Sequence, residues 1–305
     1  MANVPLRQNP FDELQTRYIL VAAVGCFVGI ALAIVFLFQS WGLLEPQGPL
    51  FSPILMLLFY GCFGIWLLKY MQQKRILLLP LWGRSPHLWR WGMLLLLVAL
   101  LLLFTLGTFL TYIGFLAWMA PPVSDGILNS TQEGILPDEF WLARLIKLVV
   151  VVVAAPVVEE IAFRGILLQR WERKWGIHMA LIGSSVAFGS LHLNPIGMTM
   201  FGLVMGLLYV RTRTLAVPVA CHMINNAFAL FLELFSSRGV SAADATGGQL
   251  GGGFGLGLVM LAISLPLLAM FIQRSWPRHE IAMPYVHNMQ QYSAPASPQR
   301  LRARS

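Results

Sequence analysis

The sequence predicts an all-α fold: a polytopic membrane helical bundle of about eight transmembrane helices. Of the 305 residues, 57% are hydrophobic and only 11% are charged, and the mean hydropathy is +0.71. A soluble domain carries charge on about a quarter of its residues. The apolar residues also come in runs of roughly twenty, the length of helix that crosses a bilayer core of about 30 Å. A transmembrane barrel would show short alternating strands, which this sequence lacks.

Eight apolar runs follow one another along the chain. The predicted spans cover about residues 18–38, 51–70, 91–119, 143–163, 177–193, 196–210, 215–235 and 254–272. A polar arm, residues 1–16, precedes them and is expected to be solvated. Polar loops are expected at residues 120–141 and 236–253. Residues 1–272 therefore form a single integral membrane domain, and the basic residues 273–305 are predicted to be a disordered cytoplasmic tail.

The formal net charge of +8 comes from Lys and Arg that cluster in short links between the apolar runs. The link before the third span, for example, contains no acid and five basic residues: Lys69, Lys74, Arg75, Arg84 and Arg90. Basic links of this kind stay on the cytoplasmic side. The pattern predicts that both termini are cytoplasmic in a plasma or inner membrane. The lipid bilayer thus explains the basic charge, and no nucleic-acid partner is expected.

Two adjacent carboxylates, Glu159 and Glu160, end an apolar run in the fourth predicted span. Charged groups within a membrane segment are costly, so they indicate a functional site. Glu160 and Arg164 are four residues apart and can pair on one helix face, whereas Glu159 is rotated by about 100°. Pro156 leaves the carbonyl of Val152 without its helical donor and is expected to kink the helix. The alternative is a helix that has already ended, with both acids in headgroup water.

Two later pairs with the same four-residue spacing place polar side chains in other spans. Phe188 and His192 share a face near the end of the fifth span, where a histidine can also lie simply at the interface. His222 and Asn226 share a face in the middle of the seventh span. They must face the bundle interior, because lipid offers them no partner. An interhelical hydrogen-bond clamp is the structural alternative for this pair. Asn225 is expected to point elsewhere, as a packing residue or a secondary contact.

These side chains match the groups needed to hydrolyse a peptide bond without a covalent nucleophile. A carboxylate beside a neutral imidazole can hold and deprotonate a water molecule. A second histidine and an asparagine amide can donate hydrogen bonds to the oxyanion that forms when water attacks an amide.

The polar residues form three motifs in this order: Glu159-Glu160-x-x-x-Arg164, Phe188-x-x-x-His192 and His222-x-x-x-Asn226. In number, order and placement on separate helices, they resemble the signature of the CPBP intramembrane protease family. This family groups the type II CAAX prenyl proteases with bacteriocin-processing and self-immunity (Abi-like) proteins. The resemblance covers about residues 148–235, within a motif-bearing core at about 143–235.

The resemblance implies an intramembrane glutamic-type endopeptidase in which Glu159 activates the water and His192 helps to bind it. The other motif residues are implied to act as an oxyanion site and a supporting pair: His222 with Asn226, and Glu160 with Arg164. It also implies an intramembrane catalytic cavity open to the cytoplasm. The implied substrate is a peptide, or a prenylated or otherwise membrane-anchored protein, processed in the manner of CAAX proteins, bacteriocins or signal peptides.

No cofactor is expected. Members of the family have been called metalloproteases, because Glu and His side chains can bind zinc. The sequence has no HExxH pair, and Asn226 in the fourth position suits a hydrogen-bond donor better than a zinc ligand. Zinc is therefore disfavoured.

Two other interpretations stay open. A serine intramembrane protease would use Ser184, Ser185 or Ser190 with a histidine, although serines in Gly-rich membrane helices usually serve packing. A non-catalytic membrane scaffold or a transporter-like binding protein could use the same polar cluster without any hydrolysis.

The depth of the site is a further open point. Straight spans place Glu159 near the cytoplasmic end of the fourth span and His192 near the opposite end of the fifth, although the two should meet. Either the fourth span continues as a helix past Arg164, or the short fifth span starts deep or tilts.

Overall fold

Helices form all the regular secondary structure that the computed structural model describes. It describes residues 9–41, 50–84, 91–133, 141–236, 247–278 and 282–293, with the backbone alone at 37–41, 129–133, 233–236 and 247–252. In chain order the helices are α1 (Thr16–Trp41), α2 (Phe51–Gln73), α3 (Leu78–Trp82), α4 (Trp91–Met119), α5 (Pro121–Glu133), α6 (Trp141–Val149), α7 (Ala155–Glu160), α8 (Leu168–Gly189), α9 (Pro195–Thr212), α10 (Ala216–Ser236), α11 (Gly247–Ser275) and α12 (Pro284–Ser293). Two π-helical segments, Val150–Ala154 and Ile161–Leu167, join α6 to α7 and α7 to α8.

Six helical runs of the described chain are long and apolar enough to cross a membrane: Thr16–Phe36, Phe51–Gln73, Trp91–Met119, Trp141–Gly189, Pro195–Thr212 and Gly253–Ser275. Helix α10 adds a shorter apolar stretch, Ala216–Leu232. The all-α polytopic class is therefore confirmed, and the chain is an integral multi-pass membrane protein. The number of eight crossings stays a prediction, because the fourth and fifth predicted spans fall in one of these runs.

The helical path that begins at Trp141 continues past Arg164 as far as Gly176. The backbone of Gly176 has φ +79° and ψ 165°, a conformation that favours glycine and that breaks α8 into two parts. At 1.5 Å per residue, Glu159 lies about 27 Å from Trp141 and about 26 Å from Gly176. Of the two alternatives left open by the sequence, the structure has the first, in which the fourth span continues as a helix past Arg164 and Glu159 lies well inside it. A basic residue usually marks a span end, but Arg164 is buried and paired with Glu160, so the helix continues.

Helix α9 lies at the centre of the bundle and contacts α4, α8, α10 and α11. Its side chains at Val204, Met205 and Leu208 are fully buried. At Gly202 a Cβ atom would lie 3.1 Å from the Cα of Ser185, so α8 and α9 approach closely at small residues. This approach brings the carbonyl of Gly202 within reach of side chains from the neighbouring π segment.

The N-terminal arm packs against the bundle where the structure describes it, which corrects the prediction of a solvated arm. Phe11 and Leu14 are each 1% exposed and belong to the apolar core. Asp12 forms an exposed ion pair with Arg173, with 2.9 Å between Oδ1 and Nε. Apolar side chains in the arm therefore find a buried surface despite the polar composition around them. Residues 1–8 lie outside the described residues.

The prediction of a disordered tail over residues 273–305 is wrong for its described part, which includes α12. Asn288 in this helix is buried, and its Nδ2 donates to the carbonyls of Pro80 and Arg213, both at 2.8 Å. The polar side chain thus satisfies two backbone acceptors at the end of the bundle, which a composition-based prediction of disorder overlooks. Residues 294–305 lie outside the described part of the chain.

Two predicted loops are helical in part. Helix α5 occupies most of the stretch 120–141, and residues 134–140 are outside the description. Helix α11 begins at residue 247, within the stretch predicted to be a Gly-rich loop, whose residues 237–246 also lie outside it.

Candidate active site

The helix around Pro156 is wound in the π register, which decides which backbone carbonyl lacks a partner. The amide of Ala155 donates to the carbonyl of Val150, five residues earlier. The next donor in this register would be Pro156, which has no N–H. The carbonyl left without a helical donor is therefore that of Val151. The sequence-based prediction named Val152, which is the acceptor that Pro156 would lack in the α register.

The side chain of Asn226, from α10, takes the place of the missing donor. Its Nδ2 donates to the carbonyl of Val151 at 2.9 Å. Its Oδ1 accepts a longer hydrogen bond, 3.4 Å, from Nδ2 of Asn225. An amide nitrogen carries two hydrogens, so one N–H of Asn226 is not used by Val151. Asn225 is buried and lines the same cavity as Asn226, so the prediction that it points elsewhere is wrong.

Glu160 and Arg164 form a buried ion pair with 3.0 Å between Oε1 and Nη1. Arg164 also donates from Nη2 to the carbonyl of Gly202 at 3.0 Å, and its guanidinium lies 4.8 Å from the ring centre of Phe188. The Nδ1 atom of His222 is 3.0 Å from the same carboxylate oxygen of Glu160. An ionised carboxylate only accepts, so Nδ1 of His222 carries the hydrogen. The ring is therefore oriented with Nε2 facing away from Glu160.

Glu159 faces a different environment from its neighbour. The hydroxyl of Tyr60, from α2, donates to Oε1 of Glu159 at 2.5 Å. The other carboxylate oxygen, Oε2, lies 3.9 Å from Nε2 of His222. The side chain of Glu159 is 17% exposed, whereas that of Glu160 is fully buried. Of the two adjacent acids, only Glu159 is partly exposed and lines the cavity described below.

His192 lies in the turn between α8 and α9. Its backbone N–H donates to the carbonyl of Gly189 at 3.0 Å, and its Nδ1 is 2.8 Å from the carbonyl of Phe188. A carbonyl only accepts, so Nδ1 carries the hydrogen and Nε2 of the neutral ring carries a lone pair. The side chain of Asn194 caps α9 by accepting from the N–H of Gly197 at 3.1 Å, which ends the turn.

A cavity of about 280 Å³ lies between α2, the first π segment, α9 and α10. Its polar lining comes from Glu159, His192, His222, Asn225 and Asn226. Side chains such as Met56, Phe201 and Leu230 supply the apolar part of the lining. An apolar lining with a few polar groups is typical of a ligand-binding pocket.

The six predicted site residues fall into two groups in the structure. Four of them line the cavity: Glu159, His192, His222 and Asn226. Glu160 and Arg164 lie behind this lining and hold His222 from the rear. The catalytic roles of all six stay predictions.

The prediction missed Tyr60, which lines the cavity and contacts Glu159. Tyr60 belongs to no motif and lies 99 residues before Glu159 in the chain. The sequence offered only weak evidence for a role of this residue, namely a hydroxyl within the apolar stretch Phe59–Phe63. Only the three-dimensional packing of α2 on α7 makes it relevant.

The three serines of the alternative interpretation point away from the cavity lining. Ser184 and Ser185 are buried and donate to the carbonyl of Leu181, at 3.3 and 2.6 Å. Ser190 donates to the carbonyl of Ala187 at 2.9 Å. Hydroxyls bonded to their own helix serve packing, so the structure gives the serine interpretation no support.

The expectation that zinc is disfavoured stays a prediction. The described residues contain no group of three or more His, Cys, Asp or Glu side chains that could hold a metal ion. A catalytic zinc usually has three protein ligands.

The segment that carries the three motifs is similar to known proteins. Residues 141–228 match the family described as "Type II CAAX prenyl endopeptidase Rce1-like". Over 108 residues the chain is 30% identical to "Putative membrane peptidase YdiL" of Bacillus subtilis (strain 168), an alignment that spans 34% of this chain and 44% of that protein. No solved structure matches the chain. Over residues 141–228, these matches support the CPBP intramembrane protease family that the three motifs resemble.

Proposed function

We propose that the protein is an intramembrane glutamic endopeptidase that hydrolyses a peptide bond of a membrane-associated or lipidated substrate. The observation that carries the proposal is the meeting of Glu159 and His222, from different helices, in one cavity with His192 and Asn226. The match to a family of prenyl endopeptidases and the similarity to a protein named as a membrane peptidase support it.

The first step is activation of a water molecule by Glu159. Oε2 of Glu159 accepts one proton of the water, while the lone pair on Nε2 of His192 accepts a hydrogen bond from the other. The water oxygen then attacks the carbonyl carbon of the peptide bond. His192 can use Nε2 for this contact, because its Nδ1 is bonded to the carbonyl of Phe188.

The oxyanion that forms in this step needs hydrogen-bond donors. Asn226 provides the N–H that Val151 does not use. His222 provides Nε2–H when both ring nitrogens are protonated. With both carboxylates ionised, Arg164 and this form of His222 bring the four charges of the cluster to zero, which favours their burial.

Collapse of the tetrahedral intermediate completes the reaction. The proton taken up by Glu159 passes to the amide nitrogen, and the C–N bond breaks to give a carboxylic acid and an amine. Glu159 thereby returns to its ionised state. The carboxylic acid then gives its proton to the released amine, so the final products are a carboxylate and an ammonium group. The reaction as proposed needs no metal ion.

The proposed substrate side is cytoplasmic, and both termini are proposed to face the cytoplasm. Lys and Arg in the links between the spans support this orientation. The apolar part of the cavity lining supports a substrate with apolar side chains or a lipid chain near the cleaved bond.

The main rival is a non-catalytic scaffold or a transporter-like binding protein that uses the same polar cluster. It predicts that substitution of Glu159 and His222 leaves the biological function unaltered. Full activity of the Glu159→Gln variant in a cellular assay would therefore favour the rival.

The test is cleavage of a quenched fluorescent peptide library by the purified protein in detergent, with and without a farnesylated C-terminal cysteine. Glu159→Gln is expected to lower kcat by about a hundredfold or more, the range for loss of a general base. The matched control is Glu172→Gln, which changes a half-buried acid of α8 outside the cavity lining. Each reaction is run with and without a zinc chelator.

Cleavage that survives the chelator, disappears in Glu159→Gln and persists in Glu172→Gln supports a metal-free glutamate mechanism. Inhibition by the chelator would contradict the metal-free part of the proposal. Equal cleavage by wild type and Glu159→Gln would contradict the role of Glu159.

A further inference from the structure

Tyr60 is the only hydroxyl-bearing side chain in the described cavity lining, and it comes from outside the matched segment. The family match begins at residue 141, whereas Tyr60 lies on α2. Its hydroxyl donates to Oε1 of Glu159 at 2.5 Å, a length typical of a strong hydrogen bond to a carboxylate. No motif or similarity assigns a role to this contact.

The contact leaves the two oxygens of Glu159 with different tasks. Oε1 is held by Tyr60, and Oε2 is left 3.9 Å from Nε2 of His222, beyond hydrogen-bond distance. A glutamate side chain has three rotatable bonds, so without such a contact its carboxylate would sample several orientations. The bond to Tyr60 therefore determines which oxygen is available to a water molecule.

The packing of α2 on α7 brings Tyr60 to this position. Gly64 lies one turn after Tyr60, and a Cβ atom there would be 3.1 Å from Cγ2 of Val158. Val158 directly precedes Glu159. A residue without a side chain thus lets α2 approach α7 at the level where the hydroxyl must reach the carboxylate.

The two adjacent acids are also distinguished by their partners. Glu160 pairs with the guanidinium of Arg164 and with His222, and it is fully buried. Glu159 instead has a neutral phenol as its donor and keeps access to the cavity. A neutral donor orients a carboxylate while adding no positive charge beside it, which suits a group that must take up a proton.

We propose that Tyr60 is a positioning residue of the active site: its hydroxyl fixes the carboxylate of Glu159 so that Oε2 faces the cavity and the attacking water. The inference rests on the proposed function. It adds a member of α2 to a site that the motifs place on three later segments of the chain.

The test compares kinetic constants for a peptide cleaved by the wild type. Tyr60→Phe removes only the hydroxyl, and it is expected to lower kcat by about tenfold to a hundredfold with KM unchanged within about twofold. Replacement of Tyr60 by 3-fluorotyrosine keeps the ring and the hydroxyl, and it is expected to retain kcat within about threefold. The matched control is Tyr112→Phe, an exposed residue of α4 outside the cavity lining.

Each result bears on the proposal separately from the proposed function. If the wild type cleaves and Glu159→Gln does not, an unchanged or raised kcat in Tyr60→Phe overturns the positioning role. An equal loss of kcat in Tyr60→Phe and in the 3-fluorotyrosine protein also overturns it, because a protein that keeps the hydroxyl would then be as impaired as one that lacks it. Equal cleavage by wild type and Glu159→Gln would instead contradict the proposed function. Melting temperatures in detergent check that every variant is folded.

Discussion

The substitution Arg164→Met tests how the buried cluster behind the cavity is held together. Arg164 is 2% exposed and donates to Glu160 and to the carbonyl of Gly202, each at 3.0 Å. Methionine fills similar apolar volume but brings no charge and no donor. The carboxylate of Glu160 would then remain buried with His222 as its partner, since its Oε2 has no hydrogen-bond partner among the described residues.

Loss of one partner from a buried ion pair destabilises a protein by about 3–5 kcal/mol, because the other charge stays buried without compensation. Arg164→Met is expected to cost an amount in this range. Adding Glu160→Gln removes the orphaned charge, and the glutamine carbonyl can still accept from Nδ1 of His222. The double variant should therefore be more stable than Arg164→Met alone, with a coupling energy of about 1–3 kcal/mol.

The measurement is the free energy of unfolding in mixed micelles, followed by tryptophan fluorescence during titration with a denaturing detergent. Arg211→Met serves as the control, because Arg211 is exposed at the end of α9 and donates to the hydroxyl of Ser275 at 3.1 Å in an exposed hydrogen bond. It should change stability by about 0.5 kcal/mol or less. A loss below about 1 kcal/mol in Arg164→Met, or a double variant less stable than Arg164→Met, would refute the reasoning that Arg164 compensates the charge of Glu160.

Two further outcomes follow from local geometry. Pro156→Ala supplies an N–H that competes with Asn226 for the carbonyl of Val151. We therefore expect kcat to fall by about tenfold while the melting temperature stays unchanged or rises. A variant with both a lower kcat and a lower melting temperature would contradict this reasoning. Burial and the nearby Arg213 guanidinium hold the pKa of His287 below its ordinary value, so the unfolded state binds the proton more readily than the folded one. Packing of α12 should therefore weaken as the pH falls below the ordinary histidine range, and His287→Gln should abolish this dependence in hydrogen-exchange measurements on α12.

The fold class and the grouping of the motif residues could be predicted from the sequence because they rest on short-range rules. Runs of about twenty apolar residues determine the class. The four-residue spacing of Glu160 with Arg164, and of His222 with Asn226, determines that each pair shares a helix face. These relations depend only on neighbours in the chain, so no knowledge of the packing was required.

The contribution of α2 and the packing of the chain termini could not be predicted in this way. Tyr60 meets Glu159 because α2 lies against α7, and no local pattern reports which helices are neighbours. The ends of the chain were judged by composition, yet Phe11, Leu14 and Asn288 each find a buried partner. The average polarity of a segment therefore does not predict whether it packs against the bundle, because a few buried side chains are enough to hold it there.

The position of Glu159 along its span stayed open at the level of the sequence, because Arg164 could either end the span or lie within it. A cation within a membrane helix usually marks the water boundary, since burial of an unpaired charge is costly. Here the charge is paired with Glu160 inside the bundle, so the argument from cost no longer applies. The pairing of Glu160 with Arg164 therefore favours a helix that continues past Arg164. Such a helix allows Glu159 and His192 to line one cavity.

The π segment before α7 links a local defect of the helix to the arrangement of the site. A proline within a helix leaves a carbonyl unpaired, and an unpaired carbonyl away from water costs free energy until another donor is found. In the π register the unpaired carbonyl is that of Val151, and the donor is Asn226 from α10. The defect therefore fixes the amide that is proposed to bind the oxyanion. A residue at position 156 that restores a backbone donor to the carbonyl of Val151 should make the protein more stable and less active. The carbonyl would then no longer hold the side-chain amide of Asn226 in place.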